Sequence, residues 1–103
     1  MLVPTLVVTE VAYLLATRLG TEAEVRFLGD LAAGNLVPEP PTPGDWLRIA
    51  ELVFTYRDLP LGTVDASVVT AAERLRITTI ATLDQRHFTV VRPAHTETFE
   101  IVP

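Results

Sequence analysis

Apolar residues near the start of the chain recur at helical rather than strand spacing, and the segment from Thr5 to Leu19 reads as a helix that stops at Gly20. Leu6, Val7, Tyr13 and Leu14 share one face, while Ala12 and Ala16 keep the other sides narrow. The expectation is a helix buried nearly all round. Thr21 with Glu24 has the form of a capping box, and Val25, Leu28, Leu31 and Ala32 continue at helical spacing until Gly34. A second helix therefore follows the first after a very tight turn.

Leu36 and Val37 suggest a short strand, bounded by Pro38, Pro40, Pro41 and Pro43. Thr42 offers an N-cap, with Pro43 in the first turn and Asp45 near the positive helix end. The third helix that begins there is expected to carry Trp46, Leu47, Ile49, Ala50, Val53 and Phe54 inward. Asp58 to Gly62 reads as a loop containing Pro60. A fourth helix follows with Val64, Val68, Val69, Ala72 and Leu75 on its apolar face and Ser67, Thr70 and Arg74 on its polar side. Ile77 to Leu83 is strand-like in its β-branched content, and Phe99 to Val102 forms a last short strand. Helices alternating with short apolar strands predict an α/β domain with a mainly parallel sheet, in a single domain over residues 1–103.

Composition narrows the chemistry. The chain is 49% hydrophobic and 20% charged, a globular rather than a disordered balance. It contains no cysteine, which excludes a disulfide framework, a thiolate zinc site and a cysteine nucleophile. Glu10 interrupts the apolar stretch from Leu2 to Ala16, which also lacks the basic front end of a signal peptide, so a cytoplasmic protein without a membrane span is expected. The net charge of −5 argues against a broadly basic duplex-binding surface. It leaves room for a metal-dependent nuclease, whose cations reverse the local field of an acidic site. All eight basic residues are arginine, which suits bidentate phosphate contacts but is explained as readily by genomic base composition.

Three carboxylates stand where the pattern calls for apolar residues or at a strand end. Glu10 lies between Leu6 and Leu14, in the middle of the first helix's apolar face, where a lone buried carboxylate needs a partner, a proton or a metal. Asp65 shares a stripe with Val68, Val69 and Ala72, although an aspartate in the first turn also complements the helix dipole. Asp84 follows the strand from Ile77, at the end where ligands gather in parallel α/β sheets, or it caps a short turn through Gln85, Arg86 and His87. Carboxylates converging on one sheet edge would suit magnesium or manganese. His87 and His95 are too isolated to suggest a histidine metal site, Trp46 sits at core spacing, and Ser67 lacks a histidine and aspartate arrangement around it. Arg86 could meet a phosphate or be a solvated turn arginine. No glycine-rich loop follows a strand, which leaves a nucleotide-binding domain without support.

These segments resemble PIN-domain ribonucleases of the VapC toxin type. PTLVVTEVAYLL is similar to the helix whose glutamate faces that family's metal site, DLPLGTVDASVV to its second acidic motif, and IATLDQRHF to its strand-end aspartate with the following basic turn. The similarity runs through essentially the whole chain. It implies a PIN-like three-layer α/β domain in which Glu10, Asp65 and Asp84 are catalytic, metal-holding acids for Mg2+ or Mn2+. It also implies Thr82 as their hydrogen-bonding companion and Arg86 as an RNA contact. Members of the family normally begin with a strand ending in an aspartate, and nothing of that kind precedes Met1; the expectation is therefore a partial domain lacking the usual first strand and first helix. The function implied is endoribonuclease action on RNA, with a small antitoxin protein as partner and a homodimer as the assembly. The alternative is a catalytically inactive module that retains only antitoxin binding or self-association.

Overall fold

The computed structural model describes residues 1–81, 88, 90–91 and 92–102 of the chain. Two compact units divide it, Met1–Pro41 and Thr42–Pro103.

The first unit is a strand, two helices and a second strand: β1 (Leu2–Pro4), α1 (Thr5–Arg18), α2 (Thr21–Ala33) and β2 (Val37–Glu39). β1 and β2 pair in parallel, with Leu2 opposite Val37, Val3 opposite Pro38 and Pro4 opposite Glu39. A parallel pair needs a long crossover, which α1 and α2 supply. The hinge between the helices is Gly20, whose φ of 97° lies in the region that favours glycine and whose N–H donates to the Leu15 carbonyl at 2.9 Å. Gly20 also serves as the N-cap of α2, so Thr21 is the first helical residue and its side chain caps nothing. The expected Thr21–Glu24 capping box is thus absent, the N-cap position lying one residue earlier at Gly20. Gly34, left-handed at φ 81°, ends α2 as the sequence predicts, and its N–H donates to the Asp30 and Leu31 carbonyls.

Burial corrects the reading of α1. No residue of α1 or α2 is fully buried, and Tyr13, Leu19 and Val25 are exposed. Two helices with one two-stranded sheet enclose too little volume to cover an apolar helix on every side.

The second unit holds α3 (Pro43–Thr55), α4 (Thr63–Leu75), β3 (Thr79–Ala81) and β4 (Glu100–Val102). Thr42 caps α3 as expected, and the box is complete: Asp45 N–H donates to Thr42 Oγ1 at 3.2 Å, while Thr42 N–H donates to Asp45 Oδ2 at 3.0 Å. β3 and β4 are parallel, pairing Thr79 with Glu100, Ile80 with Ile101 and Ala81 with Val102. The core gathers Ile49, Leu52, Leu61, Val69, Ile80, Val91 and Phe99, with Phe88 and Phe99 edge to face at 6.5 Å between centroids.

Two expectations about this unit change. On α3 the buried residues are Asp45, Ile49 and Leu52, while Trp46, Leu47, Ala50 and Phe54 are exposed, so the inward stripe is narrower than its apolar content suggested. On α4 the supposed polar side is covered: Ser67 is 3% exposed and Thr70 2%. Their hydroxyls are satisfied within the helix, Ser67 Oγ donating to the Val64 carbonyl and Thr70 Oγ1 to the Ser67 carbonyl at 3.1 Å. Small side chains at Ala66, Ser67, Ala71 and Ala72 let neighbouring elements approach closely, and α4 rather than α1 is the helix enclosed on most sides. Among the described residues no helix is long and apolar enough to cross a membrane. The helices and parallel strand pairs agree with the α/β class predicted from sequence.

Candidate functional site

Asp65 is the third residue of α4, half-buried, in a turn that already carries the positive end of the helix dipole. The position of that turn is set upstream. Gly62, in an extended conformation, is the N-cap and provides no side-chain cap, while its carbonyl accepts from Ala66 N–H at 2.9 Å. Ahead of it, the Tyr56 carbonyl accepts two amides, Leu59 N–H at 3.0 Å and Leu61 N–H at 3.1 Å. Leu61 is sunk in the core, and the Tyr56 phenol oxygen accepts Arg92 N–H at 2.9 Å. Asp65 is therefore held by a turn anchored on both sides.

Glu10 lies on α1 and is exposed. Its carboxylate keeps contact with water, so the desolvation cost inferred from its place between Leu6 and Leu14 does not arise. Glu10 belongs to the first unit and Asp65 to the second. Asp84, Thr82 and Arg86 lie outside the described residues. Among the described residues no three acidic or histidine side chains form a group able to hold a metal. Trp46, expected in the core, is about half exposed.

The electrostatic organisation around α4 was not visible in the sequence. Arg48 of α3 meets Glu73 of α4 through two parallel bonds, Nε to Oε1 and Nη2 to Oε2, each 2.9 Å. Glu73 Oε2 also accepts Ala94 N–H at 2.6 Å, which ties the segment leading to β4 onto the same carboxylate. Burial opposes the charge on Glu73 and is the largest influence. The Arg48 bonds, the Ala94 amide and the charges of Arg48 and His95 together outweigh it, and the carboxyl titrates below its ordinary 4.5. Hydrogen bonds to Glu73 raise the Arg48 guanidinium pKa above its ordinary value, against burial. Arg74 Nε donates to Asp45 Oδ2 at 3.0 Å, so a second pair links α3 and α4 and uses the same oxygen that closes the Thr42 capping box. His95 Nε2 lies 2.7 Å from the Ile77 carbonyl, and its ring is tilted against Phe99, while His87 lies outside the described residues. The bonded nitrogen must carry the proton, because a carbonyl oxygen only accepts.

Comparison with known proteins decides the family. Residues 1–92 match the PIN domain, a span that includes all of the first unit and most of the second. The chain belongs to the PIN-domain family. It is 39% identical over 97 residues to a protein named Ribonuclease VapC26 from Mycobacterium tuberculosis (strain ATCC 25618 / H37Rv), covering 94% of this chain and 72% of that protein. Membership in the PIN family, in its VapC type, agrees with the resemblance carried by the three acidic segments.

Proposed function

We propose that this PIN-domain chain is a divalent-metal-dependent endoribonuclease, acting in the cytoplasm as the toxin of a toxin–antitoxin pair. The observation that carries this reading is the 39% identity to a protein named as a ribonuclease, extending over 94% of the chain. Glu10, Asp65 and Asp84 would hold Mg2+ or Mn2+, since carboxylate oxygens are the donors these hard cations prefer. When bound, such an ion supplies Lewis-acid stabilisation of phosphate oxygens and an activated water for in-line displacement.

The chain's own residues have distinct parts in this proposal. Asp65, in the first turn of α4, is supported by the turn that Tyr56 and Leu61 anchor. Glu10, exposed on α1, can reach a hydrated ligand without first breaking a protein ion pair in an apolar interior. Thr82 would hydrogen-bond to the acids and Arg86 would contact an RNA phosphate, both by family resemblance. The partners are RNA, a small antitoxin protein and a second copy of the chain. Exposed apolar side chains on α1 and α2, among them Tyr13, Val25 and Leu28, support a protein partner on the first unit.

The test is cleavage of a mixed RNA pool with manganese present, compared between the wild type and Asp65→Asn. Manganese-dependent cleavage that disappears in a folded Asp65→Asn protein is the expected result. Equal cleavage by both proteins, or cleavage that persists in chelator, would refute the assignment.

A further inference from the structure

A turn that presents an acid to a ligand must be rigid, because positioning errors of an ångström weaken both coordination and reaction. In this chain α4 has no side-chain cap, so the placement of Asp65 depends on the residues 56–62 that lead into it. Tyr56 contributes three bonds there through two oxygens. Its carbonyl accepts from Leu59 and Leu61 and closes the turn, while its phenol oxygen accepts Arg92 N–H and braces the turn against a strand-leading segment 36 residues further on. Its ring is half-buried and packs against the core, which holds the hydroxyl in place.

We infer that Tyr56 is a positioning residue for the Asp65 site, acting through the bond from Arg92 N–H to its hydroxyl. The inference rests on the proposed metal-dependent reading of Asp65. Two physical points distinguish it from ordinary core packing. The ring alone supplies the apolar contact, and phenylalanine would supply the same. The hydroxyl adds a single directed bond, and that bond joins the turn before Asp65 to the backbone at Arg92. Loss of the hydroxyl removes that acceptor from the Arg92 N–H. The consequence is a small loss of stability and a larger loss of precision at the turn.

The experiment compares wild type, Tyr56→Phe, Asp65→Asn and Thr42→Ala by manganese calorimetry, RNA cleavage and amide hydrogen exchange. Thr42→Ala serves as a control that removes a helix cap elsewhere in the unit and leaves the turn untouched. The expected result for Tyr56→Phe is faster exchange at Arg92, manganese affinity weakened by roughly tenfold and cleavage reduced to match. Thr42→Ala should bind manganese as the wild type does. Wild-type affinity in Tyr56→Phe overturns the inference while leaving the Asp65 assignment intact, as does an equal loss in Thr42→Ala, which would reveal a general stability effect. Asp65→Asn binding and cutting like the wild type overturns the metal-site reading and this inference together.

Discussion

Arg48 and Glu73, 25 residues apart in sequence, face each other as a two-point fork with both bonds at 2.9 Å. The geometry matches the planar guanidinium to the planar carboxylate, the arrangement in which an ion pair gains most from direction as well as charge. Glu73 is only 10% exposed, Arg48 28%, and the third bond from Ala94 fills a further acceptor position on the carboxylate. The fork therefore fastens α3, α4 and the segment before β4 at one point.

Stability should depend on acid in a way that identifies Glu73. Its folded-state carboxyl titrates below the ordinary 4.5, so the folded protein resists protonation more than the unfolded chain does. The stabilisation is complete above that ordinary value and is lost as pH falls through the lower folded value. Glu73→Gln should cost about 1–2 kcal/mol at pH 7. The gap from wild type should shrink below about pH 4. Urea unfolding across this range measures it; a gap that does not change with pH would assign the cost to shape rather than charge.

The two leucines of α3 should respond to very different extents. Leu52 is 1% exposed and Leu47 77%. Leu52→Ala should cost about 2–5 kcal/mol through lost burial and the cavity left behind. Leu47→Ala should stay within about 0.5 kcal/mol of wild type. Thermal unfolding of the two variants checks the corrected orientation of the helix, and a similar loss in both would contradict it.

Arg76 ends α4 in the left-handed region at φ 55°, where a side chain strains the backbone and glycine does not. Arg76→Gly should raise stability by about 0.5–1 kcal/mol. A fall in the unfolding midpoint would show that the arginine side chain contributes more than its backbone costs.

Glu10→Gln separates chemistry from folding more cleanly than most acid substitutions. Because Glu10 is exposed, its change should leave the unfolding midpoint within experimental scatter. Manganese binding, however, should weaken by at least about tenfold if Glu10 is a ligand. Calorimetry beside a melting curve gives both answers, and unchanged affinity would remove Glu10 from the site.

Local rules written in the sequence determined a good deal of this protein. Gly20 and Gly34 end their helices because each adopts a backbone conformation that other residues enter at a cost, and Thr42 starts α3 because its hydroxyl and the Asp45 carboxylate satisfy each other's amides. The α/β class followed from helices alternating with short β-branched runs, and the order of the acidic segments around Glu10, Asp65 and Asp84 pointed to the family that comparison then showed. Other features depended on partners distant in sequence. Helical periodicity gives the angle between Leu47 and Leu52 but not which of them meets the core, nor that Ser67 and Thr70 can be buried once their hydroxyls bond within the helix. The capping box expected at Thr21 does not form, because a single residue of slack in the Gly20 turn makes Gly20 the N-cap and Thr21 the first residue of α2. Arg48 finds Glu73, and Tyr56 finds Arg92, only after α3, α4 and the following segment have packed. Such bonds join residues 25 and 36 positions apart, and no local preference encodes a distance that the folded chain itself creates.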